Sequence, residues 1–236
     1  MTPVDPSDAA RARTALEEAH ALLLELLPRL HALRADVAVK GDDTPVTAAD
    51  RLVQAELARL LRERFEQLTF VGEEDRAGWD EEATGWVAVV DPIDGTENFA
   101  SGLPEWGTAI AIFRDGVHAG SMIALPDLHL RLITGDVVEP TSSRITAFSS
   151  GVDDALVRRI AETPQARIMG AAVYNLHGVI TGRFARFVNP VGAYSWDLLA
   201  GLALAREHGC RVLVDDVEYD GGYLAPGVKH RVDIRR

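Results

Sequence analysis

The stretch that most constrains this chain is residues 86–99, Trp-Val-Ala-Val-Val-Asp-Pro-Ile-Asp-Gly-Thr-Glu-Asn-Phe, where an apolar, valine-rich run leads straight into Asp91 and Asp94. A short run of this composition reads as an interior strand over residues 86–90, with Asp91 at its carboxyl end. Pro92 fixes its own φ and biases Asp91 away from helical angles, so the following turn is stiff. Two carboxylates held in a defined relation are what a hard divalent cation requires. Asp94 reads as an N-cap, and Gly95 lets the backbone approach a ligand, so the amides of Gly95 and Thr96 face an anion as the next helix starts. Ordinary turns use Asp, Pro and Gly as well, and it is the strand run in front that singles this one out.

The chain has 236 residues and 47% hydrophobic content, enough for one large domain or two small ones with a substantial core. Its longest apolar runs, residues 21–24 and 198–205, fall short of the roughly 18 residues a membrane span needs. Asp5 and Asp8 stand early, with no basic-then-apolar leader, so the expectation is a cytoplasmic protein without membrane association. The single cysteine, Cys210, has no internal disulfide partner, and its neighbours Val212 and Leu213 mark it as a buried thiol. A net charge of −12 argues against a nucleic-acid polymer as partner. An acidic chain still binds phosphate when bound cations invert the local field. The acids of residues 73–82 and 215–220 read on their own as solvated faces. None of the seven histidines shows zinc-ligand spacing, and His177 and His208 lie nearest in sequence to the expected site segments.

Residues 7–35 carry a helical pattern that Pro28 is expected to kink or divide. A polar loop at residues 40–45 precedes Thr47, which caps a helix to about Phe65 with Val53, Leu57, Leu60 and Leu61 on one face. Strands are expected at residues 68–71, 107–113 and 117–125, the last two joined by a turn at Asp115-Gly116. Further strands are read at 127–134 and 144–148. Helix, strand, helix and strand follow at 152–162, 166–169, 172–181 and 184–188. Ser195 caps a last helix to His208, ended by Gly209 before a strand at 211–214. Mixed order of this kind points to a layered α/β or α+β fold, and no Gly-x-Gly-x-x-Gly supports a doubly wound nucleotide-binding sheet.

Four blocks stand in one order: Lys40-Gly41-Asp42-Asp43-Thr44-Pro45-Val46-Thr47-Ala48-Ala49-Asp50, Val71-Gly72-Glu73-Glu74, Asp91-Pro92-Ile93-Asp94-Gly95-Thr96, and Trp196-Asp197 opening a helix. On these blocks the chain resembles the inositol monophosphatase-like family of magnesium-dependent, lithium-sensitive phosphatases, over most of its length. The resemblance implies an alternating α-β-α-β-α sandwich of the inositol monophosphatase/fructose bisphosphatase type. It also implies one catalytic domain over residues 1–236, with a metal-binding half to about residue 145 and a second half beyond. Glu73, Asp91 and the Ile93 carbonyl would hold a first Mg2+, and Asp91, Asp94 and Asp197 a second. A third, weaker ion would sit near Glu73. The attacking water would be oriented by Glu73 and Thr96, the latter positioned by Asp50. Amides around Gly95 and Thr96 would take phosphate oxygens. Lithium inhibition and a homodimer follow from the same resemblance.

The chemistry of the residues agrees. Two cations roughly 3.5–4 Å apart activate a water and stabilise a leaving alkoxide. Magnesium suits carboxylate, carbonyl and phosphate oxygens. Asp197 in the first turn of its helix sits where the macrodipole favours negative charge, and small Ala200 and Gly201 let that helix pack closely.

Substrate choice is where the pattern departs from the family. Residues 126–144 are short where the family has a longer hairpin, which opens the pocket wall. A glutamate of inositol-cleaving relatives falls on Asn189, an uncharged partner for a hydroxyl. Gly170-Ala171-Ala172 resembles the segment lining the substrate side, which makes Ala172 a contact. The tail, closing on Lys229-His230-Arg231 and Arg235-Arg236, looks short. Residues 101–108 resemble histidinol-phosphate phosphatases, whereas Glu97-Asn98-Phe99 is typical of inositol-type members. The implied activity is magnesium-dependent hydrolysis of a small polyol-type phosphate: inositol, sugar, aminocyclitol or histidinol phosphate. Two alternatives stand beside it. A nucleotide 3′-phosphatase would need a wider, more basic pocket, and a metal-binding scaffold or regulatory protein with weakened turnover would be expected to lack an acid or Thr96.

Overall fold

A computed structural model describes residues 4–39, 45–73 and 83–236. The expected loop at residues 40–44 and the acids at 74–82, Glu74 among them, lie outside the described residues. Helix α1 (Pro6–Leu33) and, beyond the paired strands β1 (Val37–Val39) and β2 (Pro45–Thr47), helix α2 (Ala48–Arg64) form the first layer. Each is amphipathic, and α1 turns Leu16, Leu23 and Leu30 inward against Val53, Leu57 and Leu61 of α2. Of the two outcomes expected at Pro28, a kink or a division, the helix is not divided. Pro28 faces solvent, and Leu24, whose carbonyl loses its helical donor, is 39% exposed, so water can satisfy that oxygen.

The second layer is a five-stranded sheet in the order β3 (Thr69–Gly72), β4 (Trp86–Asp94), β5 (Gly107–Arg114), β6 (Val117–Leu125), β7 (Leu130–Ile133), with the short helix α3 (Thr96–Ala100) after β4. Only β3–β4 is parallel. The β5–β6 hairpin closes through Asp115 (φ 48°) and Gly116 (φ 74°), the two positive φ values of a type I′ turn, as the Asp-Gly pair predicts.

The chain continues through β8 (Thr146–Phe148), α4 (Asp154–Ala161), β9 (Ala166–Ile168), α5 (Ala172–Ile180), β10 (Arg186–Ala193), α6 (Ser195–Glu207), β11 (Arg211–Val214), β12 (Val217–Glu218) and β13 (His230–Arg235). These strands make a second sheet in the order β12-β11-β13-β10-β8-β9. Helices α5 and α6 fill the space between the two sheets, and α4 covers the far face of the second. The result is the layered α+β sandwich expected. Gly201 explains how closely α5 and α6 meet, since a Cβ there would stand 2.3 Å from Leu176 Cδ1.

The basic tail forms β13, which lies between β11 and β10 in the second sheet. In β13, Val232 and Ile234 point inward while Arg231, Asp233 and Arg235 alternate outward. Among the described residues no helix is long and apolar enough to cross a membrane.

Candidate active site

Strand β4 does not end at residue 90 but runs on to Asp94, and a bulge within it builds the site. Trp86, Ala88 and Val90 pack toward α1 and α2, whereas Val87 and Val89 pack toward α5 and α6. Asp91 continues the second set. In a regular strand Asp94 would then project from the opposite face. The ladder instead skips, pairing Asp91 with Ala109 and Asp94 with Gly107. Three steps on β4 thus match two on β5, and Ile93 falls into the core beside α1 and α2. Pro92, which has no N–H to give the ladder, sits inside this bulge, and the Thr108 hydroxyl donates to its carbonyl at 2.8 Å. The bulge therefore brings both carboxylates to the face that meets α5 and α6.

Asp94 is not the N-cap expected of it. That position belongs to Gly95 (φ 84°), where a Cβ would lie 2.8 Å from that of Ala171. The Asp94 carboxylate instead accepts the Val173 N–H, and also that of Ala172, at the N-terminus of α5. Asn98 ties this junction together, its Nδ2 donating to the carbonyls of Glu105 and Met169 at 2.7 Å each. The helix carrying Asp197 is capped by Tyr194, not Ser195: the Tyr194 N–H donates to Asp197 Oδ2 at 2.7 Å, and Ser195 is already in the first turn.

Asp91, Asp94 and Asp197 each place an oxygen within 4.8 Å of the others. Glu73, which follows β3, lies outside this trio, but its charge reaches both Asp91 and Asp94. Burial, and then the charges of Glu73, Asp94 and Asp197, hold Asp91 well above the usual carboxylate range. Burial, and then Asp197, do the same for Asp94, against the pull of the Val173 amide. Asp91 Oδ1 is buried with no hydrogen-bond partner among the described residues. Such an acid cluster is costly without a cation and suits one with it.

Asp50 and Thr96 stand together as read from the sequence. Thr47 and Asp50 form a reciprocal cap: the Thr47 N–H donates to Asp50 Oδ2 at 2.7 Å, and the Asp50 N–H to Thr47 Oγ1 at 3.3 Å. The Thr96 hydroxyl lies 3.1 Å from Asp50 Oδ1 and 3.0 Å from the Ile93 carbonyl oxygen, and its one proton serves either. Burial pushes Asp50 up, while hydrogen bonds from Thr47 and then Thr96 pull it back.

A cavity of about 700 Å³ opens beside Glu73, Asp94 and Asp197. Ala172 and Asn189 both line it. The Ala172 amide is directed to Asp94, and Asn189 Oδ1 accepts the Gly192 N–H at 2.9 Å, so that oxygen shapes its own turn. Sequence reasoning missed other lining residues, Ser149, Asn175, Tyr194 and Lys229 among them. The one local signal was Asn175, an amide within an otherwise apolar face of α5. His177 does not line the cavity; burial, and then Arg183, push it down to about 4, which leaves it neutral in the core. The His208 ring rests against the carbonyls of Leu204 and Asp136. Cys210 is a buried free thiol, as expected.

The layered fold covers 96% of this chain and 91% of a crystal structure described as an IMPase/NADP phosphatase complexed with Mg2+ and phosphate, with a TM-score of 0.80 at 20% identity. That likeness defines the fold. The sequence profile of the inositol monophosphatase family matches residues 7–143, more than half of the chain. The chain belongs to the inositol monophosphatase family, a family of phosphatases. It is 28% identical over 197 residues to an inositol-1-monophosphatase of Rhizobium meliloti (strain 1021), covering 73% of each chain. It is 39% identical over 103 residues to a histidinol-phosphatase of Mycobacterium tuberculosis, covering 44% of this chain and 39% of that protein.

Proposed function

We propose that this chain is a magnesium-dependent phosphomonoesterase that releases inorganic phosphate from a small polyol-type phosphate such as an inositol, sugar, aminocyclitol or histidinol phosphate. The observation that carries the reading is the Asp91-Asp94-Asp197 cluster, two of its acids buried and Asp197 partly so, with an Asp91 oxygen unpartnered among the described residues, set beside a cavity. Among the described residues Lys229 is the only cation lining that cavity. A phosphate dianion entering between Glu73, Asp94 and Asp197 would be repelled unless cations were bound there.

Glu73, Asp91, the Ile93 carbonyl, Asp94 and Asp197 would hold the ions. Bound Mg2+ supplies Lewis acidity, an activated water and charge neutralisation for the phosphate. The remaining roles belong to the chain. Asp50, fixed by its cap with Thr47, accepts from the Thr96 hydroxyl and so sets the direction of the Thr96 oxygen. Thr96 and Glu73 then orient the water that attacks phosphorus. Backbone N–H groups at Gly95 and Thr96 take phosphate oxygens, the first made accessible by the glycine's positive φ. Ala172 and Asn189 form part of the wall that meets the alcohol. Lithium inhibition and a homodimer belong to the same reading; light scattering tests the second.

The deciding experiment is phosphate release from a panel of these monoesters with and without Mg2+. Activity that survives chelation, or an Asp94→Asn variant as active as the wild type, overturns the reading.

A further inference from the structure

The cavity wall away from the carboxylates carries polar atoms that the fold does not use. Asn175 is 1% exposed, yet its Oδ1 has no hydrogen-bond partner among the described residues. Ser149 Oγ, from the segment after β8, is likewise buried and unpartnered. Both residues line the cavity that holds Glu73, Asp94 and Asp197. Burying such groups unpaired is unfavourable, and most buried side-chain polar atoms in folded proteins are paired. Two in one cavity mark a surface completed by something that enters it.

Their position says what enters. Asn175 stands three residues after Ala172, whose amide meets Asp94, so the two share a face of α5, with Asn175 about 4.5 Å further along the axis. Phe187 and Trp196 line the same cavity and supply apolar walls. A phosphate held at the carboxylate end therefore directs its alcohol portion along α5 toward a surface that combines apolar sides with hydrogen-bonding groups. We propose that Asn175, assisted by Ser149, is a specificity-determining contact that accepts a hydrogen bond from a hydroxyl or amine on the leaving alcohol. The substrate class is then a ring- or chain-bearing polyol or amino-alcohol phosphate, rather than a plain alkyl or aryl phosphate. This inference rests on the phosphatase reading above.

The test uses the full chain with Mg2+ and two kinds of substrate. One is whichever of inositol 1-phosphate, a sugar phosphate or histidinol phosphate the wild type cleaves fastest. The other is p-nitrophenyl phosphate, whose leaving group bears neither hydroxyl nor amine donor beyond the reacting oxygen. For Asn175→Leu the ratio of kcat/KM between the two is expected to fall at least about tenfold, mainly through KM. Ser149→Ala is expected to lower the same ratio by a smaller factor. Removing an amide whose oxygen has no partner among the described residues should also leave the Tm of Asn175→Leu equal to or above that of the wild type. A ratio that does not move in either variant overturns the inference while leaving the phosphatase reading intact. So does a lowered Tm for Asn175→Leu with no selective loss in Ser149→Ala. A wild type that hydrolyses nothing in a magnesium-dependent way overturns both.

Discussion

Asp91 and Asp233 are the same residue type on two different sheets, and the molecule treats them in opposite ways. Asp233 on β13 is met by Arg186, with Nε at 2.7 Å and Nη2 at 2.5 Å, and by Arg235 at 3.0 Å. Burial alone would raise Asp233, but hydrogen bonds from Arg186 and then Arg235 outweigh it and bring the group down to about 2. Among the described residues Asp91 has no arginine to offset its burial, only Glu73, Asp94 and Asp197, and it stands well above the usual range. An acid that the fold pairs contributes to the fold. An acid that the fold buries beside other acids costs stability while it is charged, and a proton or a bound cation relieves that cost.

Asp91→Asn breaks this contrast most severely. Phosphate release is expected to fall by at least about 100-fold, because a shared ligand is lost. The Tm in chelator should rise or stay level, because one of several mutually repelling charges is gone. A variant that loses activity and metal-free stability together would show that Asp91 had a structural partner after all.

Next in size is the linkage to magnesium and pH. Asp91 and Asp94 bind protons more tightly in the folded chain than in the unfolded one, where carboxylates titrate near 3.9. Their contribution is thus present at low pH and lost as pH rises toward the raised folded values. Melting curves in chelator should therefore show this contribution to stability shrinking as pH rises above about 4, and Asp91→Asn should flatten the dependence. Magnesium at 100 times its dissociation constant at pH 7.5 should add about 2.7 kcal/mol there, and the same concentration should add less at pH 5, where protons compete for the carboxylates. Asp233 has the opposite sign: its contribution is full above about pH 4 and is lost as pH falls toward 2.

Thr96→Val removes the hydroxyl between Asp50 and Ile93. It should cost about 10- to 100-fold in kcat with a smaller change in KM, measured by phosphate release. The mildest variant is Asp233→Asn on the other sheet. Discounted for its partial solvent exposure, its loss should be about 1 kcal/mol of stability, read from denaturant melts, with phosphate release within about twofold of the wild type.

What could be read in advance was local. The Thr47-Asp50 cap, the Asp115-Gly116 turn and the first-turn place of Asp197 follow from residues within four positions of one another. The carboxylate set was also recognisable, as four blocks in order. The bulge was not, because it depends on how β4 pairs with β5, and a strand read without its partner ends at the proline. Nor was β13, whose Arg-Val-Asp-Ile-Arg alternation is plain, but whose place between β10 and β11 is set by strands far away in sequence. The substrate wall was least legible: Ser149, Asn175, Tyr194 and Lys229 come from four separate segments that only the packed layers bring together.

The location of β13 in the middle of the second sheet has a consequence for how damage spreads. Its neighbours β11 and β10 touch it, not each other. A lesion at Val232 or Ile234 would therefore not shave an edge but part the sheet like an arch losing its keystone, with β12 and β11 on one side and β10, β8 and β9 on the other. Lys229, immediately before the strand, and Asn189 on β10 would be displaced in the same event, so the cavity would lose that wall while Asp91 and Asp94, on the first sheet, kept their places.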